Sequence, residues 1–270
     1  MPAKLTQFKT DAWRKARPII LLGLLTLLAG CVPPPITTVP STKIDSTITQ
    51  ISTYPALQMG LYNGDVTYAQ LAQAGDFGLG TFDSLDGEMV ALDGKFYQAK
   101  IDGSVALAAP TMKTPFADVH FFQRDQQVLL NEPLQNYDQF KAYLTKQLPS
   151  ANRPYAFKIT GTFPTLKIRS VGKQSEPYPP LQDAVAQQTV FELQHITGTL
   201  VGYTVPAYLS GISPTGYHFH FISADKQHAG HMLDGSLDKA TIDIDYLESV
   251  RLLIPQDAIF QGTDFTKTQP

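Results

Sequence analysis

Three Asp-Gly dipeptides, Asp86-Gly87, Asp93-Gly94 and Asp102-Gly103, fall within one stretch, "GTFDSLDGEMVALDGKFYQAKIDGSVAL" (80–107). Asp-Gly suits the positive φ angles of a type I′ turn, whose twist matches the strands that flank it. Turns this tight join only antiparallel neighbours. The spacing therefore predicts short strands at 88–92, 95–101 and 104–108, folded as an antiparallel meander. With 19 Gly, 20 Pro and 17% charged residues in 270, the chain suits a β-rich globular protein with many turns. A net charge of -3 leaves no basic footprint, so nucleic acid is not an expected partner.

The rest of the chain reads in the same terms. Residues 65–74 read as a short helix capped by Asp65 or Thr67. Residues 135–148 read as a helix with Phe140, Tyr143 and Leu144 on its apolar stripe, and 180–192 as a helix with proline near its start. "AFKITGTFPTLKIRSV" (156–171) reads as two strands around a turn. "ITGTLVGYTVPAYL", "GYHFHFIS" and "TIDIDYLESVRLLIP" are further strands. A boundary near 150 divides an N-terminal half (49–150) from a C-terminal β-rich half (151–270).

The N-terminus reads as an export leader (1–30). Lys4, Lys9, Arg14, Lys15 and Arg17 precede the apolar run "PIILLGLLTLLAG" (18–30). That run is short of the roughly 20 residues needed to span a bilayer and suits a signal-peptide core. It ends at Leu28-Ala29-Gly30-Cys31, which resembles the lipobox of bacterial lipoproteins; there the cut falls before the cysteine, which carries a lipid. The expected address is therefore the cell envelope, with membrane contact only through a lipid on Cys31. Cys31 is the single cysteine, so no intrachain disulfide is possible. "VPPPITTVPSTK" and the residues after it, to 48, read as a proline-stiffened tether.

Four of the six histidines lie in "GYHFHFISADKQHAGHMLDG" (216–235). Strand alternation puts His218 and His220 on one face, with Tyr217, Phe219 and Phe221 facing the core. "SADK" (223–226) can turn the chain and bring His231 opposite His220. Three converging imidazoles suit a zinc ion with a position left for water or substrate. His228 is the alternative third ligand. Counting back from His231 places it on the wrong face, although an irregular turn would reverse that choice.

Glu88 shares a face with Val90 and Leu92, which read as core. A glutamate there is costly unless paired or bound to a cation, or unless the strand end lets it reach solvent. Arg169 is either an edge-strand surface residue or a fork for a substrate carboxylate.

Taken together, the segments resemble the bacterial α-acetolactate decarboxylase family. The resemblance rests on "GDFGLGTFDSLDGEMVALDGKFYQ" (75–98), "TPFADVHFF" (114–122), "RSVGKQSEPYPPL" (169–181), "GTLVGYTVPAY" (198–208) and the histidine segment, in order from about 54 to about 265. It implies an α/β fold of the α+β type: an N-terminal mixed sheet with helices, and a C-terminal antiparallel barrel-like sheet. It also implies a homodimer and a zinc ion held by His218, His220 and His231. Glu88, Arg169 and Thr81 match its active-site glutamate, arginine and threonine. The implied reaction converts 2-acetolactate to acetoin and carbon dioxide. The family also draws a second glutamate from its extreme C-terminus, whereas this sequence has none after Glu248; Asp264 or the carboxylate of Pro270 are the candidate substitutes. Two other readings use the same residues: an envelope-anchored zinc hydrolase, and a lipoprotein that binds a ligand without catalysis.

Overall fold

The computed structural model describes residues 45–267. The expected leader, Cys31, the tether up to 44 and Pro270 lie outside the described residues. The chain begins with β1 (Thr47–Ile51), α1 (Tyr54–Gln58), β2 (Val66–Thr67), α2 (Tyr68–Leu71) and β3 (Phe77–Thr81). The meander comes after these as β4 (Glu88–Leu92), β5 (Lys95–Ala99) and β6 (Val105–Leu107), then β7 (Lys113–Thr114) and β8 (Ala117–His120). At Asp93 and Gly94, φ is 52° and 74°, so both central residues of that turn adopt the left-handed conformation its dipeptide favours.

Next come β9 (Gln126–Leu130), α3 (Tyr137–Gln147), β10 (Tyr155–Ser170), α4 (Leu181–Val185) and β11 (Thr189–Val205). The chain then runs through β12 (Gly216–Ser223), β13 (Ala229–Gly235), β14 (Lys239–Tyr246), β15 (Ser249–Leu253) and α5 (Ala258–Gly262). Seven strands form one sheet in the order β15-β1-β8-β3-β4-β5-β6, mixed because β15 runs parallel to β1. Six form an antiparallel sheet, β11-β12-β13-β10-β14-β9, in which β10 also pairs with β11 and closes a barrel-like ring. This is the expected α+β architecture. The halves exchange strands: β9 joins the barrel-like sheet and β15 joins the mixed one.

Three local expectations differ from the structure. Residues 156–171 form one continuous strand instead of two around a turn. The ladder is interrupted only at Pro164: Phe163 pairs with Ile196 and Thr165 with Gln194, while His195 opposite takes φ 50°. A proline lacking its N–H is tolerated at such an irregularity. The helix expected over 180–192 ends at Val185, because Thr189 onward pairs with β10 and tertiary pairing overrides local pattern. The helix expected over 65–74 shrinks to α2. Thr67 does cap it, in a capping box with Gln70, but Val66 and Thr67 also pair with β7.

The barrel-like sheet encloses Phe157, Phe163, Phe219, Phe221 and Ile242, with Phe140 and Leu144 of α3 packed among them. A second core lies between the sheets, where Leu79 and Val90 meet Val201, Tyr203 and Ile222. Strand β4 packs directly against β12 and β13, so the faces of β4 and β12 that meet across this layer position the site.

Candidate metal centre

Alternation along β12 turns Phe219 and Phe221 into the barrel core and leaves His218 and His220 on the opposite face. The turn after β12 is closed by Ser223, whose Oγ accepts from the backbone N–H groups of Gln227 and His228. The returning strand sets His231 directly across from His220. The ring centroids of His218, His220 and His231 lie 4.9 to 5.2 Å apart. One candidate ligand atom from each lies within 4.8 Å of the others. His228 is exposed at the turn and stands outside this group.

Burial pushes the imidazoles towards their neutral form. His218 falls to about 4, first by desolvation and then through the Arg169 charge. His220 and His231 fall well below the ordinary histidine value, again chiefly by desolvation. His218 and His231 retain some exposure because they open onto a cavity. His220 Nδ1 lies 2.7 Å from the carbonyl oxygen of Met89 on β4. A carbonyl only accepts, so Nδ1 carries the proton and donates it, which leaves the Nε2 lone pair free. His218 Nε2 and His231 Nδ1 lie 3.2 Å apart, close enough to serve one ion. Three neutral nitrogen donors on two hydrogen-bonded strands fit zinc well.

Glu88 starts β4 and is paired across the ladder with Thr81. The turn before it is tightly held. Thr81 Oγ1 donates to the carbonyl of Gly87 at 2.7 Å, and Gln98 Nε2 donates to the carbonyl of Asp86 at 2.6 Å. Gly87 takes φ 93°, and a Cβ there would sit 2.3 Å from the Ala99 oxygen. So constrained, the Glu88 carboxylate accepts from Arg169 Nη1 at 2.6 Å through Oε1, while Oε2 lies 3.6 Å from His220 Nε2. Glu88 is 6% exposed. Burial raises its pKa, and the Arg169 charge opposes that rise without cancelling it.

Arg169 lies on β10 directly across from His231. The next residue, Ser170, donates from Oγ to the Ala99 carbonyl and ties β10 to β5. All six expected residues therefore line one cavity of about 360 Å³. Its other wall is apolar, formed by Leu57 of α1, Leu85, Phe116, Val171 and Leu181. Such a site suits a small molecule with an anionic group for Arg169, oxygen donors for a cation, and alkyl groups for the apolar wall.

Sequence reasoning missed that wall and the Met89 carbonyl. The helix α1 had a signal, Thr53 as N-cap before Pro55, but nothing local placed it beside the histidines. Asp264 does not line the cavity; its Oδ1 accepts from the N–H and Oγ1 of Thr266.

The sequence profile of the alpha-acetolactate decarboxylase family matches residues 48–267. Among similar proteins, the alpha-acetolactate decarboxylase of Methylococcus capsulatus is 43% identical over 225 residues, covering 83% of this chain and 86% of its own. That of Methanosarcina mazei is 39% identical, with 83% and 77% covered. The crystal structure of the Bacillus subtilis strain 168 enzyme superposes with a TM-score of 0.79 at 35% identity, covering 81% of this chain and 93% of that one.

Proposed function

The chain belongs to the alpha-acetolactate decarboxylase family, and on that premise we propose that it converts 2-acetolactate to acetoin and carbon dioxide at the cavity between its sheets. One observation carries the reading: a buried carboxylate–guanidinium pair stands beside three convergent neutral imidazoles.

The reaction breaks the bond from the carbinol carbon to the carboxylate. The electron pair passes to the adjacent ketone oxygen, giving an enediolate; a proton then adds to the carbinol carbon and yields acetoin. The barrier is the charge developing on oxygen. His218, His220 and His231 would hold zinc, which when bound supplies Lewis acidity for that charge.

The remaining roles fall to the chain. One Arg169 nitrogen is engaged by Glu88; the other donors of its planar fork can orient the substrate carboxylate and, after CO₂ leaves, face the enediolate. Glu88, its pKa raised by burial, is suited to carry the proton that completes acetoin. Thr81 acts one step back, holding the Gly87 carbonyl and so the position of Glu88. The apolar wall takes the methyl groups and limits water at the reacting carbon.

Incubating residues 32–270 with acetolactate, before and after chelation, tests this. Acetoin should form, fall on chelation and return with zinc. A zinc-loaded, folded protein that makes no acetoin overturns the reading.

In this proposal the enzyme works outside the cytoplasm, lipid-anchored at Cys31 in the envelope, and as a homodimer. The leader and lipobox of the sequence support the first, and the family resemblance the second. Palmitate labelling that persists in Cys31→Ser contradicts the anchor, and a monomer mass in light scattering contradicts the dimer.

A further inference from the structure

The segment 206–215 joins β11 to β12; Pro206 at its start and Ser213, at 3% exposure, are its buried residues, and Leu209 packs against the core between the sheets. Beyond Leu209, Ser213 is the one buried residue, so apolar packing does little to hold residues 210–215. The Ser213 hydroxyl donates to Oε1 of Gln50, a β1 residue that is itself 1% exposed. Gln50 Nε2 donates to the carbonyls of Ile212 at 2.9 Å and Ser52 at 2.8 Å. The Ile212 carbonyl also accepts from the backbone N–H of Tyr54 at 2.8 Å. Two carbonyls at one end of the amide and a hydroxyl at the other fix its orientation, because carbonyls cannot donate. Gln50 thus pins the peptide Ile212–Ser213 to the mixed sheet. At the far end of the loop, Tyr208 Oη donates to the Asn152 carbonyl at 3.1 Å in an exposed position.

The two residues directly after the pin, Pro214 and Thr215, line the cavity. Gly216, at φ 79° with open space around it, then leads into β12 and His218. With Ser213 the one buried residue between 210 and 215, apolar burial does not hold this stretch of wall, and the buried polar pin defines where it stands.

We infer that Gln50 is a positioning residue for substrate binding: through Ser213 and Ile212 it holds the Pro214–Thr215 wall against the cavity. This rests on the cavity being the decarboxylase site. The side-chain hydrogen bonds of Gln50 and Ser213 run to each other and to the backbone of Ser52 and Ile212, away from Glu88, Arg169 and the histidines. Loss of the pin therefore removes binding shared by ground state and transition state, raising KM while sparing kcat.

Two variants test it. Ser213→Ala deletes one bond. Gln50→Glu keeps the shape but turns the two donors into an acceptor facing two carbonyls. Ser213→Ala should raise KM for acetolactate roughly 3- to 10-fold, the range expected for one lost hydrogen bond. Gln50→Glu should raise it further. In both, kcat should stay within about twofold and zinc content unchanged. Chymotryptic cleavage after Tyr208 should quicken while the global unfolding midpoint of Ser213→Ala barely moves. A merely structural role would lower that midpoint and kcat together and leave KM alone. Wild-type KM and wild-type cleavage in a folded Ser213→Ala overturn the inference, and that variant decides the matter if Gln50→Glu does not fold. Absence of acetoin from the wild type would overturn the functional reading instead, and the Tyr208 cleavage rates would still judge the pin.

Discussion

Replacing Asp118 with asparagine should make the protein more stable above neutral pH and leave it nearly unchanged in acid. Asp118 lies on β8 in the layer between the sheets, 4% exposed, and its Oδ1 has no hydrogen-bond partner. Desolvation raises its pKa from 3.8 to about 7. Tyr203 on β11 is the link to the neighbouring charges: its hydroxyl feels Asp118, Asp245 on β14 and Asp76 ahead of β3. The Tyr203 hydroxyl, whose own pKa burial and these acids raise, lies 2.9 Å from His120 Nδ1, and His120 Nε2 lies 3.3 Å from Asp245.

With the folded pKa above the unfolded one, the folded state holds more protons between the two values. Stability is then fully present below about pH 4, falls as pH rises, and levels off above the folded pKa. At about 1.4 kcal/mol per pH unit, the loss between pH 4 and 7 is on the order of 4 kcal/mol. Asparagine at 118 has the shape of the neutral acid and does not titrate. His120, Asp245 and Asp76 remain in both proteins and largely cancel in the comparison. The assay is urea unfolding at pH 5, 6, 7 and 8, with zinc held constant so that metal linkage does not enter. The variant's advantage should be about 1.5 kcal/mol at pH 5 and grow to about 4 kcal/mol at pH 8. Parallel stability curves, or a variant weaker than wild type at pH 8, would refute the argument.

Other perturbations probe the site itself. Glu88→Gln keeps shape and loses the titrating oxygen, so turnover should fall by roughly 10²- to 10⁴-fold, the usual weight of a general acid–base group, while circular dichroism stays native. Arg169→Met strands the Glu88 carboxylate and should cost about 3–5 kcal/mol in denaturant unfolding, as expected for half of a buried pair. Gly87→Ala forces a side chain into positive φ beside the Ala99 oxygen. Its melting temperature should drop and kcat with it, because the turn that aims Glu88 must shift.

Local signals carried most of the candidate metal site. Alternation and a turn are properties of neighbouring residues, so the histidine hairpin was legible down to the pairing of His220 with His231. Glu88 was legible as a conflict between charge and a core-facing position, which its Arg169 contact resolves. The features that stayed hidden depend on distant pairing. Residues 189–192 look helical until β10 is beside them, and 156–171 looks like two strands until the pairing with β11 carries it through as one, with His195 absorbing the irregularity. The Met89 carbonyl has no residue type to announce it, since any amino acid would supply the same oxygen. Gln50 likewise carries no local signal; only the loop that contains Ile212 and Ser213 explains its burial.

The central claim is that the three-histidine cluster holds the metal on which decarboxylation depends. Its most direct test measures bound zinc and CO₂ release from acetolactate on one preparation of His220→Ala beside the wild type. Stoichiometric zinc and rapid CO₂ release are expected in the wild type, with both lost in the folded variant. Full zinc occupancy with normal turnover in His220→Ala would contradict the claim.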